Sequence, residues 1–288
     1  MRLALGTVQF GTDYGAFNLA GRPGEDAVAE CLDCAEAAGI DTLDTARAYG
    51  ASEEVLGRLG APRRFRIVTK VASLRGAGAD GVARSLEASL AALRADRVHA
   101  LMLHDAADLA GPDGDRAWQA LDRLRAERLI EKAGVSVYTP EEATALAARY
   151  PIDIVQAPYS VFDQRMRTSG AFAALAQRRV EIHVRSIFLQ GFALADPASL
   201  PAGLASHRGL LERFRASAAE RGVTPLRLAL AAALGEPAIA RAVIGVDGPA
   251  QLQEAVAAAR AEPLDIDPSG FASTDLGLIN PANWRRAA

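Results

Sequence analysis

Short apolar runs rich in β-branched residues alternate along the chain with Ala-, Leu- and Arg-rich stretches, in which apolar positions recur every three or four residues. The helical spacing is clearest in Ala83–Leu93, Trp118–Leu129 and Pro140–Tyr150, and Thr139 is the expected N-cap of the last of these helices. The apolar runs predict eight strands, at Arg2–Gly6, Ile40–Asp44, Arg66–Val71, Ala100–His104, Ala133–Val137, Ile154–Ala157, Glu181–Ile187 and Ala242–Val246.

The regular alternation of strands and helices predicts right-handed crossovers and a parallel sheet of the α/β class. Eight such units are the number that closes a (β/α)8 TIM barrel, while a doubly wound open sheet has the same local signature and remains the alternative. No linker interrupts the pattern, so we expect residues 1–288 to form a single domain. The Pro-, Gly- and Asp-containing segment 263–288 is expected to be a C-terminal tail that packs on the barrel.

Composition narrows the classes of partner. Of the 288 residues, 50% are hydrophobic and 23% are charged, and the formal net charge is -3, without a basic block that would favour nucleic acid or an anionic membrane. No apolar stretch reaches the ~20 residues of a membrane helix, and no signal-peptide pattern begins the chain, so a cytoplasmic protein is expected. Cys31 and Cys34 lie on a predicted helix as packing residues, and no histidine has metal-ligand spacing, so no metal is expected.

A glycine motif, Gly76-Ala77-Gly78-Ala79-Asp80-Gly81, matches the G-x-G-x-x-G pattern of dinucleotide-binding loops. Its first glycine comes five residues after Val71, and the motif follows the third strand instead of the first. The next predicted strand, Ala100–His104, brings no acidic residue at its end until Asp105, about 24 residues after the last glycine. This context indicates an ordinary loop between a strand and a helix.

Four ionisable residues fall at the C-terminal ends of three consecutive predicted strands, where the active sites of barrel enzymes lie. Asp44 ends the second strand, Tyr49 follows it, Lys70 is near the end of the third, and His104 ends the fourth. An ammonium group beside a phenol favours the phenolate and makes the phenol a better acid at neutral pH. A carboxylate would hold the lysine in place, and a neutral histidine would orient a carbonyl oxygen. Such a site protonates a carbonyl, and the hydride must come from a cofactor.

The residues around this tyrosine make a family resemblance specific. Asp44-Thr45-Ala46, Tyr49-Gly50, Ser52-Glu53 and Leu56-Gly57 resemble the D-T-A-x-x-Y-G-x-S-E-x-x-L-G signature of the aldo-keto reductases. Further similarity extends along most of the chain, at Leu5-Gly6-Thr7, Lys70, Leu103-His104, Gly134-Val135-Ser136, Gln156 and Tyr159.

This resemblance implies a barrel that binds an extended nicotinamide dinucleotide. Tyr49 would be the general acid in reduction and the base in oxidation, Lys70 paired with Asp44 would make it more acidic, and His104 would orient the carbonyl. Ser136 and Gln156 would hold the nicotinamide carboxamide. The other cofactor contacts that the resemblance implies are Thr7, Val8, Ser186, Phe188, Gly191, Gly245 and Gln251.

The chain departs from the family pattern at three cofactor positions. Val137 replaces the asparagine that commonly follows the serine of the fifth strand, and Arg185 replaces an aromatic residue that stacks on the nicotinamide. A guanidinium can also stack on a ring, so we expect Arg185 to do so. After the eighth strand the cations that grip the 2′-phosphate of NADP are missing, and Asp247 is present instead. The family favours NADP(H), whereas Asp247 favours NAD(H), and both remain open from the sequence.

The sequence therefore predicts an NAD(P)(H)-dependent oxidoreductase that interconverts a small aldehyde, ketone or sugar and the corresponding alcohol. A regulatory barrel that binds the dinucleotide without turnover is the alternative, motivated by the altered cofactor positions. The aromatic residues expected to form the pocket walls are Phe10, Tyr14, Tyr159 and Phe188.

Overall fold

The computed structural model describes residues 1–18, 20–75 and 78–284. Within these ranges, eight parallel strands pair in chain order and β8 pairs with β1, which closes the barrel. The strands are β1 (Leu3–Gly6), β2 (Thr42–Asp44), β3 (Arg66–Val71), β4 (Val98–Leu103), β5 (Ile130–Ser136), β6 (Ile154–Pro158), β7 (Glu181–Arg185) and β8 (Ile239–Gly245). The predicted single-domain (β/α)8 barrel is thus confirmed, and the open doubly wound sheet is excluded.

Helices surround the barrel and cover its apolar outer face. In the part of the chain that the structure describes, the α-helices are α1 (Val8–Gly11), α2 (Glu25–Ala37), α3 (Ser52–Arg58), α4 (Asp80–Leu93), α5 (Ala106–Ala110), α6 (Gly114–Ala126), α7 (Pro140–Arg149), α8 (Arg165–Thr168), α9 (Ala171–Gln177), α10 (Arg208–Glu220), α11 (Pro225–Leu234), α12 (Pro249–Arg260) and α13 (Leu276–Ile279). Short 3-10 helices lie at Ala61–Arg63, Leu189–Leu194, Pro197–Ser199, Ala202–His207, Pro268–Phe271 and Pro281–Asn283.

The start of α7 shows how local sequence sets an element boundary. The side chain of Thr139 accepts a hydrogen bond from the backbone N–H of Glu142, and the Glu142 carboxylate accepts one from the backbone N–H of Thr139. This reciprocal pair satisfies two N–H groups that the helix itself leaves without partners. The predicted cap at Thr139 is confirmed.

Five predicted strand ends on the functional face are wrong: β5 and β8 end one residue early, at Ser136 and Gly245, β6 ends one residue late, at Pro158, and the other two are those of β4 and β7. The fourth strand stops at Leu103, so His104 is the first residue beyond it. The seventh strand stops at Arg185, two residues before the predicted end, because Ser186 has a left-handed backbone with φ 62°. A strand requires extended dihedrals, and the left-handed residue therefore turns the chain away from the sheet.

The core has three parts. A small cluster inside the barrel joins Val68, Ala100, Met102 and Ile154, and the largest cluster lies between the strands and the helices. A third cluster fills the space between the loop after β7, helices α10 and α11, and the chain after α12. Because apolar contacts of this kind are dense and fixed, the barrel is a rigid support for the loops at its C-terminal end.

The segment after α12 contacts the barrel domain at several points. The amide nitrogen of Gln164 donates to the carbonyl of Pro268, and the N–H of Ser273 donates to the carbonyl of Phe162 at 2.8 Å. Trp284 packs edge-on against Phe17, with ring centroids 6.5 Å apart. Residues 285–288 lie outside the described part of the chain. Among the described residues, no helix combines the length and apolarity that crossing a membrane requires.

Candidate active site

A cavity of about 660 Å³ opens at the C-terminal ends of the strands, a volume typical of small-molecule and cofactor sites. It extends from the residues after β2 and β4 to the first turns of α12. Lys70 is buried behind this surface, and every other predicted site residue lines the cavity: Asp44, Tyr49, His104, Thr7, Val8, Ser136, Gln156, Arg185, Ser186, Phe188, Gly191, Gly245, Asp247 and Gln251.

The four predicted catalytic side chains are in mutual contact at one end of the cavity. The Lys70 ammonium donates to Oδ1 of Asp44 at 2.6 Å and to the hydroxyl oxygen of Tyr49 at 3.3 Å. The rings of Tyr49 and His104 meet edge to face, with centroids 5.9 Å apart. The barrel register brings these residues together, because Asp44 is paired with Val68 on β3, two residues before Lys70.

Lys70 keeps its charge although its side chain is only 1% exposed. Burial opposes the charged form, but the carboxylate of Asp44 and the phenol of Tyr49 outweigh it and raise the pKa of Lys70 above its ordinary value. The ammonium also donates to the carbonyl of Thr45 at 3.0 Å. Three acceptors therefore hold a permanent positive charge beside the phenol oxygen.

His104 is neutral over the physiological pH range. Burial is the main cause that lowers its pKa to about 4, and the Lys70 ammonium adds to the effect. A neutral imidazole has one N–H donor and one acceptor nitrogen. His104 can therefore donate a hydrogen bond to a ligand oxygen in the cavity without adding a charge.

The loop that carries Tyr49 is fixed by the polar residues of the signature. The Ser52 hydroxyl lies 2.8 Å from that of Thr7 on one side and 3.2 Å from that of Thr45 on the other. Glu53, which is buried, accepts hydrogen bonds from Thr69 at 2.6 Å and Arg47 at 2.5 Å. These contacts anchor both ends of the loop and restrict where the phenol can lie.

Glycine allows the end of α1 to pack directly on the loop that carries Tyr49. A Cβ at Gly11 would lie 1.8 Å from the carbonyl oxygen of Tyr49, and Gly50 has a left-handed backbone with φ 55°. Any side chain at Gly11 would displace the Tyr49 loop, since real Cβ contacts are never that short.

Ser136 and Gln156 fit the carboxamide of a nicotinamide ring. The Gln156 amide nitrogen donates to Oδ2 of Asp44 at 2.6 Å, which fixes the orientation of the amide because a carboxylate only accepts. Its Oε1 is buried and has no partner among the described residues. Ser136, which is paired with Gln156 across β5 and β6, also lines the cavity. An acceptor without a partner beside a hydroxyl matches the N–H and C=O groups of a carboxamide.

A strained turn borders the middle of the cavity. Ser186, Leu189 and Gln190 have positive φ values of 62°, 45° and 52°, and Gly191 has 101°. Left-handed non-glycine residues cost about 1–3 kcal/mol each and cluster at ligand sites. The turn is held by Gln190, whose Oε1 accepts from the N–H of Ala16 at 3.2 Å and whose amide nitrogen donates to the Tyr14 hydroxyl at 3.3 Å.

The far end of the cavity is acidic. Asp247 and Glu254 both line it, and neither lysine nor arginine lines this end within the described ranges. Gln251 holds Asp247 in place, because its Oε1 accepts from the backbone N–H of Asp247 at 2.9 Å and its amide nitrogen donates to Oδ2 at 3.3 Å.

Arg185 lies against an aromatic ring, as predicted, but that ring belongs to the protein itself and not to a cofactor. Its guanidinium carbon is 4.5 Å from the centroid of the Tyr138 ring, and one nitrogen donates to the carbonyl of Val137 at 3.2 Å. The predicted stacking of Arg185 on a nicotinamide stays a prediction.

Sequence patterns missed several cavity residues and misplaced others. Gln9, Tyr138, Gln190 and Glu254 line the cavity; the first three follow strand ends, which was the signal for them, whereas Glu254 lies within α12 and had no such signal. Tyr14 and Phe188 are pocket walls as predicted. Phe10 and Tyr159 are not, because both are turned into the main core.

The glycine motif contributes nothing to the cavity in the part that the structure describes. Gly76 and Ala77 lie outside the described residues, and Gly81 is buried in the first turn of α4. None of the described residues of this motif lines the cavity.

Comparison with known proteins places this geometry in a family context. The sequence model of the Aldo/keto reductase family matches residues 2–269. A curated protein described as oxidoreductase sirO, from Leptosphaeria maculans, is 42% identical over 79 residues, which are 26% of this chain and only 24% of that protein.

Solved structures resemble the whole barrel. A structure from Pseudomonas aeruginosa, assigned by its authors to the aldo-keto reductases, has 27% identity and a TM-score of 0.67, with 90% of this chain and 89% of that chain covered. The aldo-keto reductase AKR11C1 from Bacillus halodurans, in its holo form, has 22% identity and a TM-score of 0.76, covering 92% of this chain and 88% of that chain. The second likeness concerns the fold alone.

Proposed function

Because this chain belongs to the aldo/keto reductase family, we propose that it is an NAD(P)(H)-dependent oxidoreductase that interconverts a small carbonyl compound and the corresponding alcohol. The single observation that carries this proposal is the contact between the Lys70 ammonium and the Tyr49 hydroxyl, 3.3 Å apart, at the wall of a cavity large enough for a cofactor. Such a site can give a proton to a carbonyl oxygen that gains negative charge only if the substrate reaches Tyr49. Tyr49 lines the cavity, so a bound substrate can reach it.

Tyr49 is the proposed general acid in carbonyl reduction. Its hydroxyl gives a proton to the substrate oxygen, and the adjacent Lys70 ammonium stabilises the phenolate that this transfer leaves behind. Asp44 keeps the ammonium charged and in place through its 2.6 Å hydrogen bond. In the oxidation direction the same phenolate removes the hydroxyl proton of the alcohol.

His104 is the proposed orienting group. Its ring lies beside Tyr49, and in its neutral form it donates a hydrogen bond to the carbonyl oxygen while the Tyr49 proton is transferred. A neutral donor suits this position, because a cationic imidazole could give its own proton to the alkoxide that develops during reduction and would then compete with Tyr49.

The residues that would hold the nicotinamide dinucleotide are those that line the rest of the cavity. When bound, that cofactor supplies or accepts the hydride, which this chain has no other group to provide. Gln156 and Ser136 would bind the carboxamide, Thr7 and Val8 would form the floor, and Arg185 would lie against the ring. The contacts proposed along the remainder of the cofactor are Ser186, Phe188, Gly191, Gly245, Asp247 and Gln251.

NAD(H) is the proposed cofactor form. The adenosine end of the cavity, next to α12, is lined by the carboxylates of Asp247 and Glu254. A 2′-phosphate there would meet two negative charges, whereas a free ribose hydroxyl can donate to Asp247.

The test of the function is stoichiometric turnover. Purified protein is mixed with NADH or NADPH and a panel of aldehydes, ketones and aldoses, and cofactor oxidation is followed by absorbance while the alcohol is measured by chromatography. One alcohol formed per cofactor oxidised supports the proposal. Tight cofactor binding without turnover on the whole panel would support a regulatory barrel instead.

A further inference from the structure

Arg185 brings a positive charge to the catalytic end of the cavity. It is the one lysine or arginine among the described residues that line this cavity. It lies at the end of β7, where its backbone pairs with Pro158 of β6, and its side chain reaches across to the carbonyl of Val137 after β5. Its charge therefore sits at the rim above Ser136 and Gln156.

The guanidinium is fixed, but its hydrogen-bonding capacity is not used up. One nitrogen donates to Val137 and another contacts the Ser186 hydroxyl at 3.4 Å, whereas a guanidinium has five N–H groups. No carboxylate pairs with Arg185 in the part of the chain that is described. The Tyr138 ring covers one of its faces. A charged fork that is positioned without an ionic partner is a ready binding group for an anion.

Neighbouring groups do not cancel this charge. The ammonium of Lys70 is already balanced by Asp44, and His104 is neutral because burial and Lys70 lower its pKa to about 4. The acidic residues Asp247 and Glu254 lie after β8 and on α12, and neither forms an ion pair with Arg185 among the described residues. The Arg185 charge acts on both His104 and Tyr14, which places it within electrostatic reach of the reacting atoms.

We propose that Arg185 binds the negatively charged group of the substrate, so that the enzyme prefers carbonyl compounds carrying a carboxylate or a phosphate over neutral ones. This inference rests on the proposed carbonyl reduction and names its substrate class. The Tyr14 hydroxyl, held by Gln190 on the same wall of the cavity, supplies a further donor for the anion.

Binding an anion does not conflict with the proposed stacking of Arg185 on the cofactor. A guanidinium is planar, and stacking uses its faces, whereas its N–H groups point outward in the plane. One face lies on Tyr138, the other can face a ring in the cavity, and the edge remains for a carboxylate or phosphate.

The preference is measured with two pairs of substrates matched in carbon skeleton: 4-oxobutanoate with butanal, and glyceraldehyde 3-phosphate with glyceraldehyde. We expect kcat/KM for the charged member of at least one pair to exceed that of the neutral member by about tenfold, mainly through KM. The pair that shows the preference identifies the anion. Equal kcat/KM values within both pairs would overturn the inference.

Arg185→Gln separates this role from the cofactor role. We expect the ratio of charged to neutral kcat/KM to fall about tenfold, because a change in cofactor binding affects both substrates alike and cancels in the ratio. Arg185→Lys, which keeps the charge without the fork, should retain part of the preference. Arg75→Gln is the matched control: Arg75 follows β3 at the same end of the barrel, is 83% exposed and does not line the cavity, so the ratio should not change. A parallel loss for both substrates in Arg185→Gln would show that Arg185 serves only the cofactor.

A binding measurement decides the inference even if no carbonyl compound is reduced. Butanoate and butanamide differ in charge but hardly in size, and their binding to the NADH-loaded protein is measured by calorimetry. We expect butanoate to bind more tightly to the wild type and to lose this advantage in Arg185→Gln. Equal binding of butanoate by the two proteins would contradict the anion site, independently of the fate of the proposed function.

Discussion

Gln156 and Asp44 are joined across the barrel by a 2.6 Å hydrogen bond, from the amide nitrogen on β6 to Oδ2 on β2. The other oxygen of Asp44 accepts from Lys70, which in turn contacts Tyr49. One carboxylate therefore orients both the amide proposed to hold the cofactor and the ammonium beside the proposed acid. This arrangement leaves Oε1 of Gln156 as the free acceptor that the carboxamide requires.

Replacing Tyr49 with phenylalanine removes the proposed proton donor. We expect kcat to fall by about 10²–10⁴-fold, the usual contribution of a general acid, while NADH affinity stays within about threefold. Steady-state kinetics and fluorescence titration with NADH measure the two quantities. Tyr150→Phe is the control, since Tyr150 bonds Asp115 and the carbonyl of Leu109, outside the cavity. Near-normal turnover by Tyr49→Phe would rule out the proposed role.

The Lys70–Asp44 pair is predicted to be coupled in stability. Lys70→Met leaves the buried carboxylate of Asp44 without its cation and should lower the free energy of unfolding by about 3–5 kcal/mol. In Lys70→Met/Asp44→Asn that charge is absent, so the double variant should be more stable than the sum of the single changes predicts. Urea denaturation of the four proteins measures this cycle. Strict additivity would mean that the ion pair contributes no coupling.

Cofactor preference tests the acidic end of the cavity. We expect NADH to bind at least about tenfold more tightly than NADPH, because the 2′-phosphate meets Asp247 and Glu254. Asp247→Ser should narrow this ratio, mainly by improving NADPH binding. Asp265→Ser is the control, as Asp265 is an exposed residue outside the cavity. A wild type that prefers NADPH would refute the proposal of NAD(H).

Burial of His104 makes stability depend on pH. The native pKa is about 4 and the ordinary value 6.5, so below pH 6.5 the unfolded chain takes up a proton that the native His104 does not. The contribution of His104 to the free energy of unfolding is therefore fully present above pH 6.5. It declines by up to about 3 kcal/mol as the pH falls toward 4. In His104→Gln this part of the dependence of the unfolding free energy on pH should be absent.

Free energies of unfolding at pH 5, pH 8 and pH 9 measure the His104 effect. The difference in unfolding free energy between wild type and His104→Gln should change between pH 5 and pH 8. It should be constant between pH 8 and pH 9. Parallel pH profiles below pH 6.5 would argue against a neutral buried His104.

Gly11 supports the Tyr49 loop by having no side chain. A Cβ in Gly11→Ala would collide with the Tyr49 carbonyl and the Ser52 backbone, so we expect lower kcat together with a lower melting temperature. Gly24→Ala is the matched control, because nothing lies within 4 Å of the Cβ position there and its φ is -67°. Wild-type activity in Gly11→Ala would mean that the loop adapts without moving the phenol.

The sequence determined the barrel and the face on which the proposed catalytic groups lie. Hydrophobic periodicity depends on near neighbours along the chain, so the strands, the helices and the Thr139 cap could be recognised locally. Parallel strands in a barrel all point their C-terminal ends to one face, and this rule alone predicted that Asp44, Tyr49, Lys70 and His104 would converge. It did not fix the strand ends at Leu103 and Arg185, because pairing register and a left-handed Ser186 set those.

Only the tertiary structure decided which side chains touch. Gln156 bonds Asp44 across 112 positions of sequence, and Gln190 bonds Tyr14 across 176. Arg185 takes its place from the end of β7, which the left-handed Ser186 sets, and from the ring of Tyr138 after β5, which no residue next to Arg185 in sequence dictates. Such contacts follow from the closure of eight strands and the direction in which each strand ends. Periodicity carries no information about them, because it describes one element at a time.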